Sequence, residues 1–132
     1  MKKRVKGRKF GRKRDQRRAL MRHLAEALVE RERISTTEAR AKELRPYIER
    51  IITKSRSQSI ATIRQLRRTF GTKATKKLVE DLGPRYKGRP GGYTRIIKRT
   101  PRKGDAAKRA IIEFVESKKT QEHENIKTRA KV

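Results

Sequence analysis

Apolar residues recur at helical spacing in four stretches of the chain, which are separated by polar or glycine-containing segments. Leu20, Leu24 and Leu28 form the first stripe and predict a helix that runs to about Arg31. Asp15 is the predicted N-cap, because its carboxylate can accept hydrogen bonds from the free amides of the first turn. A globular domain is therefore predicted to begin at residue 15.

A second helix is predicted after a short strand-like run around Ile34. Ser35, Thr36 and Thr37 are alternative N-caps for it. Pro46 lies within its apolar stripe, where a proline removes one backbone hydrogen bond at a cost of about 3 kcal/mol. Because the stripe keeps its phase across Pro46, we predict a kinked helix, with a break into two helices as the alternative. The apolar stripe comprises Ala41, Leu44, Ile48, Ile51 and Ile52.

Two shorter helices are predicted in residues 60–82. Gly71 separates them, and Thr72 can cap the second of the two. Gly83 followed by Pro84 predicts the end of that helix, with a left-handed glycine cap and then a helix breaker. The apolar positions of the first helix are Ile60, Ile63, Leu66 and Phe70, and those of the second are Ala74, Leu78 and Leu82.

Two runs rich in β-forming residues follow, "YTRIIKR" at 93–99 and "RAIIEFVE" at 109–116. The polar connection between them is short enough for antiparallel pairing. We predict an α+β fold in which about four helices pack on one face of a small sheet of about three strands. The predicted organisation is a basic extended arm at 1–14, a single domain at 15–116 and a C-terminal tail at 117–132. The pattern does not decide which strand is central.

The charge of the chain is the feature that most restricts its function. Lys and Arg number 41 against 14 acidic residues among 132, which gives a formal net charge of +27. Such an excess is far larger than solubility requires and calls for a polyanionic partner. Nucleic acid is the first expectation, and an anionic membrane surface is a distant second.

The first 18 residues, "MKKRVKGRKFGRKRDQRR", contain eleven of these cations and one acid. A segment with so few apolar side chains cannot bury enough surface to fold alone. We therefore interpret it as an arm that is disordered in free solution and becomes ordered on a phosphate surface. A tail that merely keeps the protein in solution is the alternative interpretation.

Residues suited to catalysis or metal binding are sparse. The chain has no cysteine, and neither His23 nor His123 has a partner at metal-ligand spacing. Asp15, Asp81 and Asp105 are scattered and suit caps or turns rather than a Mg²⁺ site. We expect no enzymatic activity, no cofactor, no small-molecule substrate and no membrane span, since no apolar run approaches about 20 residues.

The string "KGRPGGYTRI" at 87–96 joins the fourth helix to a strand. Gly88, Gly91 and Gly92 permit positive φ and remove side chains, so that the backbone can approach a phosphate and offer its N–H groups. Tyr86 and Tyr93 have two alternatives, stacking on an unpaired base or packing their rings inward. A loop that only turns the chain is the simpler explanation for the glycines.

Four segments together resemble a known family. They are "GRKFGRKRDQRRALMRHLAEAL" (7–28), "RISTTEARAKEL" (33–44), "PRYKGRPGGYTRIIK" (84–98) and "RKGDAAKRAIIEFVE" (102–116), in this order. The chain resembles the family of ribosomal protein seventeen of the bacterial large subunit over residues 1–116. The resemblance implies a cytoplasmic, structural protein that binds large-subunit ribosomal RNA and neighbouring ribosomal proteins near the exit of the peptide tunnel.

Charge, loop chemistry and resemblance together predict the residues that bind ribosomal RNA (rRNA) by shape and backbone. A DNA-architectural protein is the alternative function, although no apolar wedge or repeated unit is evident. A nucleic-acid-processing enzyme and a membrane-active cationic peptide fit less well. The predicted rRNA-binding residues are Lys2, Lys3, Arg4, Lys6, Arg8, Lys9, Phe10, Arg12, Lys13, Arg14, Arg17, Arg18, Arg40, Lys42, Arg85, Lys87, Arg89, Gly91, Gly92, Tyr93, Arg95, Lys98, Arg99, Arg102 and Lys103.

Overall fold

The computed structural model describes residues 6–116. The predictions for Lys2, Lys3, Arg4 and the tail 117–132 lie outside these residues. The elements in chain order are α1 (Arg14–Arg31), β1 (Arg33–Thr37), α2 (Glu38–Ser55), α3 (Ile60–Thr69), α4 (Thr72–Lys77), a π-helical turn (Leu78–Leu82), α5 (Gly83–Arg85), β2 (Thr94–Arg99) and β3 (Arg109–Phe114). Since α4, the π-helical turn and α5 form one continuous helical segment, the predicted set of four helices and three strands is confirmed.

Helix α1 begins two residues earlier than a helix capped by Asp15 would, and Asp15 is not its cap. Lys13 is the N-cap residue, and its backbone N–H donates to Gln16 Oε1 at 3.2 Å. Asp15 lies instead in the first turn, where its negative charge interacts favourably with the positive end of the helix dipole. The predicted end at Arg31 is confirmed, and Glu32 follows it in the left-handed region with φ of 61°.

Helix α2 is one helix, so the alternative of a break at Pro46 is wrong. Thr37 is its N-cap, and the Thr37 side chain accepts a hydrogen bond from the Arg40 backbone N–H. The stripe of apolar residues on both sides of Pro46 is buried, as predicted. Burial of each large aliphatic side chain contributes about 1.5–3 kcal/mol, so several of them outweigh the proline's cost of about 3 kcal/mol.

Three details of the following helices differ from the sequence predictions, and the first is that Gly71, not Thr72, is the N-cap of α4. Ile60 is 70% exposed, because it is the first residue of α3 and lies beyond the core that buries Leu66. Gly83 does not end the fourth helical segment in a left-handed cap, since its φ is −58° and the helix continues through Pro84. Gly83 is instead a site of close packing, where a Cβ atom would lie 2.8 Å from the Ser55 carbonyl oxygen.

We expect Gly83→Ala to destabilise the protein although alanine favours helices. The clash is with backbone atoms of α2 and of the same segment, which cannot rotate away, and forced overpacking of this kind costs about 1–3 kcal/mol. Gly88→Ala is the matched control, because nothing lies within 4 Å of a Cβ at Gly88. Urea denaturation of both variants tests this, and equal stability of Gly83→Ala and the wild type would contradict it.

The sheet is antiparallel with the order β1-β3-β2, which makes the last strand the central one. Its inner face is buried beneath α2 and contains the cross-strand row Ile34, Ile112 and Ile96. The opposite face of the sheet is largely exposed. This arrangement confirms the predicted α+β class with helices on one face, and it leaves the outer face of the sheet, the arm and the loops for a partner.

Candidate nucleic-acid interface

The described part of the arm, residues 6–13, lies against the start of α2. Arg8 Nη1 donates to the Ala39 carbonyl oxygen at 3.2 Å, and Arg12 Nη1 donates to the Phe10 carbonyl oxygen at 2.9 Å. These are neutral acceptors, so both guanidinium charges remain available to an anion. Arg14, Arg17 and Arg18 of the predicted set belong to α1 rather than to the arm.

A cationic patch surrounds Glu38 at the start of α2. Lys42 Nζ and Lys98 Nζ lie 2.7 Å and 3.6 Å from Glu38 Oε1, and the hydrogen bond from Lys42 lowers the pKa of this carboxyl group below its ordinary value. A groove of about 330 Å³ runs beside it, lined by Arg8, Lys42 and Lys108 among others. The α2-start patch, defined as Arg8, Lys42, Lys98 and Lys108, therefore carries four cations around one acid.

The glycine loop, defined as residues 87–93, is fixed to the body by two buried tyrosines. Tyr86 and Tyr93 are each 1% exposed, and their ring centroids are 5.1 Å apart. The Tyr93 hydroxyl lies 3.2 Å from both Thr53 Oγ1 and the Arg89 carbonyl oxygen. Both rings therefore pack in the core, which is the inward alternative, and Tyr93 supports the loop from below.

The exposed side of the glycine loop is bare backbone, as predicted. A Cβ atom added at Gly88, Gly91 or Gly92 would meet nothing within 4 Å. Gly92 is in the left-handed region with φ of 63°, whereas Gly88 has no positive φ and does not need glycine for that reason. The loop thus presents accessible peptide groups beside the exposed cation Lys87 and the half-buried Arg89.

Arg56, the residue that follows α2, was not predicted and contributes directly to this loop. Its Nη1 atom donates to the Arg89 carbonyl oxygen and, at 3.0 Å, to the Tyr93 hydroxyl. This contact spans more than 30 residues of sequence, so no local motif could have indicated it. Arg56 holds the loop in place and adds a half-buried positive charge behind it.

Arg85, a predicted rRNA-binding residue, is engaged inside the protein. Its guanidinium donates to both carboxylate oxygens of Glu32, at 3.0 and 3.1 Å, and to Asp81 Oδ2 at 2.8 Å. Hydrogen bonding from Arg85, together with a smaller contribution from Lys77, lowers the pKa of Glu32 to about 2 against the opposing effect of burial. The Arg85 side chain is only 15% exposed, so it joins α1 to the fourth helical segment instead of projecting towards a partner.

The predicted cations of β2 are divided between the two faces of the sheet. Lys98 points to the inner side near Glu38, whereas Arg95 and Arg99 lie on the outer face. Arg95 Nε lies 2.9 Å from Glu113 Oε1 and is partly neutralised, and Arg33 shares the same carboxylate at 3.3 Å.

The outer face of the sheet also contains residues that the sequence prediction omitted. Cross-strand registers place Arg33, Glu113 and Arg95 in one row and Thr37, Arg109 and Arg99 in another. The middle row has Ser35, Ile111 and Ile97, with the Ile97 side chain 36% exposed. Arg33 and Arg109 lie within the quoted motifs, but only the strand pairing shows that their side chains lie on the same face of the sheet as Arg99.

The connection between β2 and β3 contains one paired cation and one exposed cation of the predicted set. Arg102 Nε lies 3.0 Å from Asp105 Oδ1, and this partner lowers the pKa of Asp105 to about 2. Lys103 is exposed. Arg102 therefore shapes the turn, while Lys103 is available to an anion.

The predicted residues do not form a single site. The α2-start patch and the glycine loop lie at opposite ends of α2, whose 18 residues span about 27 Å at about 1.5 Å per residue. Several predicted cations make no ion pair with any carboxylate of residues 6–116, and they occur in both regions. These are Lys6, Arg8, Lys9, Arg12, Lys13, Arg18, Arg40, Lys87, Arg89, Arg99 and Lys103.

Residues 6–116 contain neither a metal-binding cluster nor a membrane-spanning helix. Across residues 6–116, no group of three or more His, Asp or Glu side chains is arranged to hold a metal ion. Among the helices of the same range, none combines the length and apolar character that a bilayer crossing demands.

Residues 6–116 form a compact α+β body with unpaired cations at both ends of one helix, which is the structure of a small basic protein whose surface suits a polyanion. The sequence model of the Ribosomal protein L17 family matches residues 20–115. The chain is 48% identical to large ribosomal subunit protein bL17 of Nautilia profundicola in an alignment of 113 positions that covers 82% of this chain and 93% of that relative. It is 50% identical to the bL17 protein of Caldanaerobacter subterraneus over 109 residues, which are 82% of this chain and 97% of that relative. The chain belongs to the ribosomal protein L17 family.

Proposed function

We propose that this protein is a structural constituent of the large ribosomal subunit that binds rRNA through phosphate contacts, without enzymatic activity. The observation that carries the proposal is the set of cations without carboxylate partners within residues 6–116, in a chain of the L17 family. When a free guanidinium or ammonium group binds a phosphate, it displaces the counterion condensed there, and this release favours binding. The proposal places the protein in the bacterial cytoplasm, where it assembles into ribosomes.

Three parts of the surface have distinct tasks in this proposal. The arm and the α2-start patch neutralise phosphates on one side of the body. The glycine loop offers peptide N–H groups to a phosphate at close range, because no side chain covers Gly88, Gly91 or Gly92. The outer face of the sheet contributes Arg99 and Arg109. Contacts at both ends of α2 orient the body on RNA near the peptide tunnel exit, with neighbouring ribosomal proteins beside it.

Sucrose-gradient fractionation of a lysate in high salt, followed by immunoblotting, tests this function. We expect the protein to co-migrate with large subunits, because a chain enclosed in an assembled particle dissociates slowly, whereas non-specific phosphate binding is lost in high salt. RNase treatment before centrifugation should release it. Recovery exclusively with chromosomal DNA would overturn the proposal in favour of a DNA-architectural protein.

A further inference from the structure

A cleft of about 570 Å³ lies between the first half of α1, the middle of α2 and the end of α3. Met21 and the ring of Tyr47 contribute apolar surface to it, and arginines from two helices surround that surface. Its size is in the range of pockets that bind small ligands. The arginines that line the cleft are Arg17, Arg18, Arg22 and Arg68.

Tyr47 differs from the other two tyrosines of the chain. Tyr86 and Tyr93 are buried in the core, whereas Tyr47 is half-buried and lines the cleft. The Tyr47 hydroxyl is protonated at neutral pH and can donate a hydrogen bond, and burial raises its pKa above the ordinary value. It is therefore the tyrosine whose ring a ligand can reach.

Three of the four arginines that line the cleft have no carboxylate partner within residues 6–116. Arg18, Arg22 and Arg68 form no ion pair with a carboxylate of residues 6–116, and Arg17 has one long contact of 3.8 Å to Glu43. Asp15 also lines the cleft, but it lies 3.4 Å from Arg14 and its side chain is largely exposed. Four guanidinium groups converging on one concave surface repel each other, and a bound anion would relieve that repulsion.

We propose that this cleft binds one unpaired nucleotide of RNA. The base would stack against Tyr47 and contact Met21, while Arg18, Arg22 and Arg68 bind the flanking phosphates. A nucleotide combines a planar apolar face with an anionic backbone, which matches an aromatic surface surrounded by guanidinium groups. This inference rests on the proposed function and adds a preference for an unpaired base to binding that is otherwise directed to the RNA backbone.

The test compares two RNA hairpins that are identical except for one bulged uridine. Base–aromatic stacking contributes enough to favour the bulged hairpin by about fivefold or more. We expect Tyr47→Ala to abolish that preference. Arg68→Gln should weaken binding to the bulged hairpin more than to the paired one. Arg67→Gln is the matched control, because Arg67 is adjacent in sequence but lines a different groove with Ile63 and Thr75, so it should leave the preference unchanged.

Photocrosslinking with 5-iodouridine at the bulge locates the base independently of affinity. We expect adducts on the tryptic peptides 19–22 and 43–50, which contain Met21 and Tyr47. Equal affinity for the two hairpins, or adducts confined to the arm or the glycine loop, would overturn this inference alone. Failure of the wild-type protein to bind either hairpin would overturn the proposed function as well.

Discussion

Replacing five cations of the arm with glutamine is expected to lower the affinity for rRNA fragments by about 10³-fold or more at about 0.1 M salt. The log–log salt slope should become shallower by about 3.5 on single strands or about 4.5 on duplex. Filter binding or anisotropy across a salt series measures both quantities. The substituted residues are Lys6, Arg8, Lys9, Arg12 and Lys13.

The size of this effect follows from where the five charges lie. None of them is paired with a carboxylate of residues 6–116, and the two arginines donate only to backbone carbonyl groups. Each therefore releases about 0.7–0.9 of a counterion equivalent when it reaches a phosphate. Cations that already have an internal partner, such as Arg85 and Arg102, would contribute less, because binding RNA would first require that partner to be given up.

A matched variant removes the same number of charges from exposed helical positions outside the predicted set. If location matters, its loss of affinity should be well below that of the arm variant. Equal losses for the two variants would show that net charge alone governs binding and would contradict a specific role for the arm. Circular dichroism should show native helix content for both. The control positions are Arg31, Arg64, Arg67, Lys73 and Lys76.

The elements were predictable wherever one apolar stripe determined them. The stripe of α2 keeps its phase through Pro46, and the structure confirms that packing along this stripe outweighs the missing hydrogen bond. The order of the strands was not predictable, because β1, β2 and β3 all alternate in similar ways. Only the tertiary pairing places β3 in the centre.

The sequence rules for helix ends failed where a contact with another part of the fold determines the role of a residue. Gly83 precedes Pro84 and resembles a helix-ending pair, yet its real constraint is the Ser55 carbonyl oxygen in another helix. Asp15 resembles an N-cap, but the N-cap is Lys13, two residues earlier, and the Gln16 side chain accepts a hydrogen bond from its N–H. In both cases the sequence shows the residue but not the partner that determines its role.

The distribution of charge along the sequence located the candidate interface only to within whole segments. The sequence identifies the basic segments, but it does not distinguish Arg85, which is bound to Glu32 and Asp81, from Lys87, which is exposed. Nor does it show that Arg33 and Arg109 share the outer face of the sheet with Arg99. Ion pairing and facing direction depend on the fold, so a list of cations overstates the surface that is free for RNA.

Tyr93→Ala is expected to be the most destabilising single substitution in the glycine loop. Truncating a buried aromatic side chain costs about 3–5 kcal/mol, which is a large part of the about 5–15 kcal/mol that stabilises a typical domain. The ring contacts Tyr86, and the hydroxyl accepts a hydrogen bond from Arg56 Nη1 at 3.0 Å. Its removal therefore damages the core and releases the loop together. The free energy of unfolding from urea denaturation measures the loss.

Tyr93→Phe separates this supporting role from a direct role in RNA binding. It keeps the ring and removes only the hydroxyl, so the expected loss of stability is about 1 kcal/mol. If the ring lies in the core, the folded Tyr93→Phe protein should bind rRNA within about twofold of the wild type, since twofold corresponds to only about 0.4 kcal/mol. Unchanged stability of Tyr93→Ala, accompanied by a large loss of RNA affinity, would instead require the ring to leave the core and contact the RNA.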